Sequence, residues 1–246
     1  MYHYLLTFSK AGDLRFISHL DLLRTFIRSA RRAGIPAAYS KGYNPQPKFI
    51  FAAPLAVGIE GENEYLDLYL REAWETDVIK ESLNRQFPDG LKVHKVSYVD
   101  LNRPPLSAMV SAALYKVLLT NVTPSIEKTL LDILNAETIL LERKGKKNKK
   151  TLNIRPYIFL LSLQKREDGK GELFMLLATG NKGGVRPHEI MSILLMGDNA
   201  GSINTKIIRK DLFILENNRL KTPEGLSPLE YLEMRYYDGT KNYYQL

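Results

Sequence analysis

The sequence predicts an α+β fold built from two tandem ferredoxin-like (βαββαβ) antiparallel sandwiches. Three observations carry this reading. The apolar period switches between two and 3.6 residues in the order βαββαβ over the first hundred residues, a proline pair then interrupts the pattern, and the same order recurs after it.

In chain order, Tyr2–Phe8 alternates like a strand and Leu20–Ala33 carries a helical period. Lys48–Val57 and Tyr65–Leu70 read as strands, Val78–Phe87 as a helix and Lys92–Tyr98 as the fourth strand. The stretch Val99–Leu106 contains Pro104-Pro105, which denies both helix and ladder hydrogen bonds. It places a linker at 101–110 between an N-terminal domain (1–100) and a C-terminal domain (111–221). Past it, Ala113–Leu119 reads as a strand and Ser125–Leu134 as a helix opened by Thr123-Pro124, where proline suits the first helical position. Strands follow near Ile139–Glu142 and at Tyr157–Gln164 and Leu173–Ala178, then a helix at Pro187–Leu195 and a strand at Lys206–Leu215, one strand or hairpin arm more than in the first half. Residues 222–246, with Tyr231, Tyr236, Tyr237, Tyr243 and Tyr244, read as a short helix and tail.

Charge is unevenly spread. Residues 1–50 hold eight Lys and Arg against Asp13 and Asp21, and Arg143-Lys144-Gly145-Lys146-Lys147-Asn148-Lys149-Lys150 holds six more, while the whole chain is only +8. The rest is therefore net acidic, and the asymmetry suits a nucleic acid or an anionic surface. There is no cysteine, which excludes disulfides, thiol catalysis and thiolate-held zinc or iron–sulfur clusters. His3, His19, His94 and His188 are scattered without metal-ligand spacing, so neither a metal nor a cofactor is expected. No window approaches the ~18 apolar residues of a membrane span, and the N-terminus lacks a basic segment followed by a long apolar core. The expected location is the cytoplasm, away from membranes.

The first helix is the most readable element. Ser18-His19-Leu20-Asp21 matches a capping box, which reserves a structural role for Asp21. At about 100° per residue Leu23, Phe26, Ile27 and Ala30 share one arc, and Arg24, Arg28, Arg31 and Arg32 share the adjoining one. A guanidinium grips phosphate bidentately and stacks on bases, which an ammonium does not. The alternative is a solvated charged face, although no acid sits four residues from any of these arginines to neutralise it.

The loop Tyr39–Lys48 follows. Gly42 permits a left-handed turn, Pro45 and Pro47 stiffen the chain, Tyr39 and Tyr43 offer stacking surfaces, and Lys41 and Lys48 flank them. It reads equally as a rigid turn feeding a strand. The glycine-rich stretch Thr179–Glu189 enters a helix with Lys182 and Arg186 beside its first amides, a place for a phosphate or an ordinary hairpin-to-helix connection. The run 143–150 reads as a mobile basic loop that adds sequence-independent phosphate affinity. Arg15 and Asn44 complete the candidate nucleic-acid-binding set.

Arg15-Phe16-Ile17-Ser18-His19-Leu20-Asp21, Arg31-Arg32-Ala33-Gly34-Ile35-Pro36, Ser40-Lys41-Gly42-Tyr43-Asn44-Pro45-Gln46-Pro47-Lys48 and Pro54-Leu55-Ala56-Val57-Gly58 together resemble the radical SAM-associated domain family of bacterial proteins. The resemblance is specific over 13–70 and looser through Arg155-Pro156 and Arg186-Pro187. Gln46 departs from the histidine of the family's Asn-Pro-His-Pro loop, which removes an acid–base group there. The resemblance implies a radical S-adenosylmethionine protein as partner, and a chain without cysteine leaves any cluster to that partner.

The expected function is a non-catalytic RNA-binding module that presents tRNA or rRNA to such an enzyme. Arg24, Arg28, Arg31 and Arg32 hold phosphates in this reading, Tyr43 stacks, and Lys41 and Lys48 anchor the loop. Two alternatives stay open. One is a metal-independent endoribonuclease resembling CRISPR repeat-processing enzymes, with His19 as base and Tyr39 or Lys48 assisting. The other is a protein-interaction module whose basic face docks the partner without RNA.

Overall fold

The computed structural model describes residues 1–144, 149–180, 183–196, 205–216 and 219–228. They form a mixed α+β protein with mostly antiparallel strands, divided into two compact units: 1–110 with 208–214, and 111–207 with 215–246.

Unit 1 begins with β1 (Tyr2–Lys10), a 3-10 turn at Gly12–Phe16 and α1 (His19–Arg32). Next come β2 (Phe49–Phe51), β3 (Glu60–Leu70), α2 (Thr76–Asn84) and β4 (Leu91–Val99). β1 lies between β3 and β4, antiparallel to both, and β2 pairs with β3. Alternation sends Tyr4, Leu6 and Phe8 of β1 to one face, where they meet Leu22, Phe26 and Ala30 of α1 and Ile79 and Leu83 of α2. The buried stripe of α1 is Leu22, Phe26, Ser29 and Ala30, with Leu23 and Ile27 only partly buried. The core arc is thus rotated slightly from the expected one, because Leu22 as well as Phe26 reaches the strands.

On the other face of this sheet sit His3 and Asp67, both fully buried. Asp67 accepts from His3 Nε2 (2.8 Å), from the Leu106 amide (2.7 Å) and from Arg103. The stretch read as a linker is bonded to unit 1 through Asp67, and it ends in the one-turn helix α3 (Leu106–Met109) with Leu106 buried. Pro104 and Pro105 have no amide hydrogen to donate, and the first amide after them, that of Leu106, is the one Asp67 takes.

The segment expected as a strand over 48–57 keeps only three ladder residues, because the chain turns away through Ala52-Ala53-Pro54. Below the end of β2, the free edge of β3 is taken by β10 (Lys206–Glu216), which runs parallel to it with Ile208 opposite Glu60 and Arg209 opposite Gly61. The strand expected in the second domain at 206–215 is present, but its residues 208–214 belong to unit 1. Three consecutive charges, Arg209, Lys210 and Asp211, are buried there. Arg209 Nε donates to Glu64 Oε1 at 2.7 Å, and its other nitrogens reach Glu64 Oε2 and the carbonyls of Pro54 and Ala53, each carbonyl at 3.0 Å. Lys210 pairs with Glu62, and Asp211 accepts from Tyr65 (2.7 Å) and Asn63 (3.1 Å). Gly61 leaves room for this arrangement, since a Cβ there would sit 2.5 Å from Glu64 Cγ.

Unit 2 contains β5 (Val110–Leu119), α4 (Pro124–Asn135), the hairpin of β6 (Leu140–Lys144) and β7 (Lys149–Asn153), β8 (Ile158–Lys165), β9 (Gly171–Ala178), α5 (Pro187–Leu194) and β11 (Arg219–Lys221). β9 pairs antiparallel with both β5 and β8. Thr123 caps α4 by accepting from the Ile126 amide, and Arg155 caps its other end by donating to the Leu134 and Ala136 carbonyls. The basic run 143–150 is in part ladder, with Arg143 opposite Lys150, and residues 145–148 lie outside the described set. The tail tyrosines also lie outside it. Among the described residues no helix is long and apolar enough to cross a membrane.

The Arg209–Glu64 pair yields a stability test. Arg209→Met leaves a buried carboxylate and two peptide carbonyls without their donor, and is expected to cost about 3–5 kcal/mol of unfolding free energy in urea titrations, with Arg209→Met/Glu64→Gln costing less than the single change. A loss below about 1 kcal/mol, the level of an exposed pair, would show that β10 is held by something else.

Candidate functional site

The site is built on α1 and the loop after it. Ser18 caps α1 by accepting from the Asp21 amide at 3.2 Å. The reciprocal half of the expected capping box is altered: the Asp21 carboxylate accepts from the Ser18 hydroxyl (2.7 Å) and from Arg24 (2.9 Å). Those two hydrogen bonds hold the Asp21 carboxyl below the usual carboxylate range, so the charge stays on. At the far end, the amides of Gly34 and Ile35 return to the carbonyls of Arg31 and Ala30, a Schellman closure that needs the φ of +71° at Gly34. Ile35 then enters the core beside Ala30. Both ends of α1 are fixed, and with them the direction in which its arginines point.

The four arginines divide. Arg24 is paired with Asp21 in an exposed ion pair of little energetic consequence. Arg32 donates to the Gln86 side chain (3.1 Å), the Gln86 carbonyl (2.7 Å) and Ser29 Oγ (3.1 Å), tying α1 to the end of α2. Arg28 and Arg31 are exposed, and neither side chain has a hydrogen bond or ion pair among the described residues. Arg15 is committed to the Gly12 carbonyl, to Glu60 and to the face of Phe16.

The loop is stitched shut at its base. Ala38 N–H reaches Tyr69 O, Lys48 N–H reaches Ala38 O, and Ser40 N–H reaches Gln46 O, while Gln46 N–H reaches Ser40 Oγ. Its tip, 41–46, is exposed throughout, with Lys41, Asn44 and a fully exposed Tyr43. Lys48 is not at the tip: its ammonium lies 4.6 Å from the centroid of Tyr69, which stacks on His3 at 4.2 Å. Burial, and secondarily Asp67, raise the Tyr69 phenol.

Between the end of α1 and the base of the loop lies a cleft of about 340 Å³. The exposed side chains that line it are Arg31, Tyr39, Arg71 and Glu72, over the more buried Ile27, Ala30, Ile35 and Phe49. The structure thus brings together Arg31 and Tyr39, and adds Arg71 and Glu72, which sequence reasoning missed. Their only sequence signal is a charged pair directly after an apolar strand. Arg71 is placed by its amide, which bonds Pro36 O at 2.9 Å.

The other candidates lie elsewhere. Arg186 is in unit 2, and its amide donates to Glu189 (2.7 Å), so the start of α5 already holds a carboxylate. Arg143 grips the same Glu189 with two nitrogens and the Gly184 carbonyl, rather than standing free. Lys182 lies outside the described residues. His19 is half-buried, edge-on to Phe51 at 5.1 Å, with no hydrogen bond among the described residues, while Lys48 lies over Tyr69 and Tyr39 lines the cleft. Burial lowers its pKa, and the nearby Lys10 and Arg209 lower it further. Among the described residues no group of three or more acids and histidines is placed to hold a metal.

Residues 3–187 match the family described as "Uncharacterized protein conserved in bacteria (DUF2344)", and the chain belongs to it. No curated protein matches the sequence. Among solved structures, the chain is similar to one titled "Crystal Structure of a Cbf5-Nop10-Gar1 Complex", at 9% identity and a TM-score of 0.47 over 85% of this chain. It spans about half, 48%, of the chain it matches there.

The lowered histidines set a pH dependence. His19 and His94, the latter also beside Lys92, sit below 6.5 in the folded protein. Below 6.5 the unfolded chain binds more protons, so stability is full above that pH and declines as pH falls towards the folded values. His19→Gln should flatten the decline of the urea midpoint between about pH 7 and about pH 5.5. A decline equal to that of the unaltered protein would count against this origin.

Proposed function

We propose that this member of the family is a non-catalytic RNA-binding module that presents RNA, of the tRNA or rRNA class, to a radical S-adenosylmethionine enzyme. One observation supports the RNA half above all. Arg28 and Arg31, with no side-chain hydrogen bond or ion pair among the described residues, lie on the helix that leads into a loop closed at its base, whose tip carries an exposed Lys41 and a fully exposed Tyr43, and Arg31 shares a cleft with Tyr39 and Arg71. Guanidinium groups without internal partners hold phosphates, and exposed aromatic rings stack on unpaired bases; single-stranded sites combine the two.

The βαββαβ reading of the scaffold belongs to the same proposal, and its support is the order β4-β1-β3-β2 in unit 1. The enzyme partner rests on the resemblance of Arg15–Asp21 and Ser40–Lys48 to the radical SAM-associated domains. A chain without cysteine requires that the iron–sulfur cluster be the partner's.

The test is the affinity for total tRNA and for rRNA fragments as a function of salt. Binding should weaken linearly in log–log form, and Arg28→Ala/Arg31→Ala should reduce the slope by about 0.7 for each phosphate of a single strand that the protein no longer neutralises. Absence of binding at low salt would overturn the RNA reading. A partner that co-purifies after nuclease treatment would then assign the basic face to protein docking.

A further inference from the structure

We propose that the cleft beside the end of α1 seats one unpaired guanine nucleotide, with its phosphate on Arg31 and Arg71, its ring on Tyr39 and its base edge on Glu72. This rests on the RNA reading of the same face and narrows it to a residue. At about 340 Å³ the cleft lies within the range of small-molecule sites, roughly 300–1,000 Å³.

The lining has two chemical parts. Arg31 and Arg71 are exposed, and neither side chain has a hydrogen bond or ion pair among the described residues, so both forks are available to one anion. Helix ends usually repel anions through their free carbonyls. Here the Ala30 and Arg31 carbonyls are already taken by the Ile35 and Gly34 amides, which lessens that opposition. The second part is aromatic and apolar: Tyr39 is half exposed, and its backbone is bridged to Pro47 across the loop base, which fixes where the side chain leaves the main chain. Phe49 and Ile35 line the cleft beneath.

Glu72 selects the base. A carboxylate accepts and does not donate. Guanine presents two adjacent donors, N1–H and the exocyclic amine, on its Watson–Crick edge, which a carboxylate meets bidentately. Adenine and cytosine present an acceptor beside their amine, and uracil a single donor between two carbonyls. Only an unpaired nucleotide exposes this edge, so the site discriminates unpaired guanines in loops and ends from those in helices.

The experiment is calorimetric titration of the full chain with guanosine 5′-monophosphate, adenosine 5′-monophosphate and guanosine, alongside the RNA affinity measurement. Guanosine 5′-monophosphate is expected to bind most tightly, with Arg31→Ala and Arg71→Ala each weakening it about 10-fold or more. Glu72→Gln should erase the preference over adenosine 5′-monophosphate while both nucleotides remain bound. All three side chains are exposed, so these variants leave the core intact. RNA binding that is unaffected by Arg71→Ala, with no uptake of the mononucleotide, would overturn the cleft and leave the RNA reading standing. Uptake of the mononucleotide without any RNA binding would support the cleft and sink the RNA reading. Equal affinity for the guanine and adenine nucleotides would overturn the assignment of Glu72.

Discussion

The interaction on which unit 1 depends is the buried pair of Arg209 and Glu64. A guanidinium taken out of water must find partners for nearly all its donors, or its desolvation exceeds any gain. Arg209 meets that demand with one carboxylate and the carbonyls of Ala53 and Pro54. Those carbonyls belong to the chain where β2 leaves the sheet, so one side chain both replaces the missing ladder and holds a strand from far along the sequence. The pair also sets the local field. Lys10 is buried beside it, its ammonium pushed down by burial and by Arg209 while Glu64 opposes the shift. The Lys10 ammonium and the Gly58 amide both reach the Arg15 carbonyl, and Glu60 accepts from the Gly12 amide. The turn that launches α1 is thereby fastened to the start of β3.

Arginine serves two purposes in this chain, and partner supply separates them. Arg32, Arg143, Arg155 and Arg209 each donate to two or more fixed acceptors, and each joins segments distant in sequence. Their planar fork suits that work, since several donors are placed at once with little entropy lost per bond. Arg28, Arg31 and Arg71 have the same chemistry, but their forks meet no acceptor among the described residues. Net charge counts both groups alike, so the basic density of residues 1–50 overstates the cationic surface: Lys10 is buried and Arg15 is committed.

What the sequence made legible was local. The start of α1 is written in Ser18, and its arc of arginines follows from the period alone. The start of α4 was equally plain from Thr123-Pro124. The features that escaped depend on pairing across long separations. Lys206–Leu215 reads as a strand, but the burial of Arg209-Lys210-Asp211 shows only once Glu62, Asn63 and Glu64 are set beside it, and no periodicity relates segments nearly 150 residues apart. β7 was hidden because Lys149-Lys150-Thr151 reads as part of a charged loop, although β6 supplies its ladder and Glu142 its counter-charge. Arg71 and Glu72 carried no motif at all; their place in the cleft comes from a backbone bond to Pro36.

That origin matters for recognition. The cleft's parts are positioned by main-chain pairing: Tyr39 by its bridge to Pro47, Arg71 by Pro36, and Arg31 by a helix closed at both ends. Ordering a loop on binding costs free energy that direct contacts must first offset, and a site whose backbone is already fixed avoids most of that cost. The tip, 41–46, differs in kind, because the bonds that close the loop join Ser40 to Gln46 and leave Tyr43 beyond them. In the proposed reading, a nucleic acid crossing this face would meet a preformed seat in the cleft and a fully exposed aromatic ring at the tip. If the proposed RNA reading holds, that arrangement would put selectivity in the cleft and reach in the loop, the division a module needs to hold one part of an RNA still while leaving the neighbouring nucleotides open to another protein.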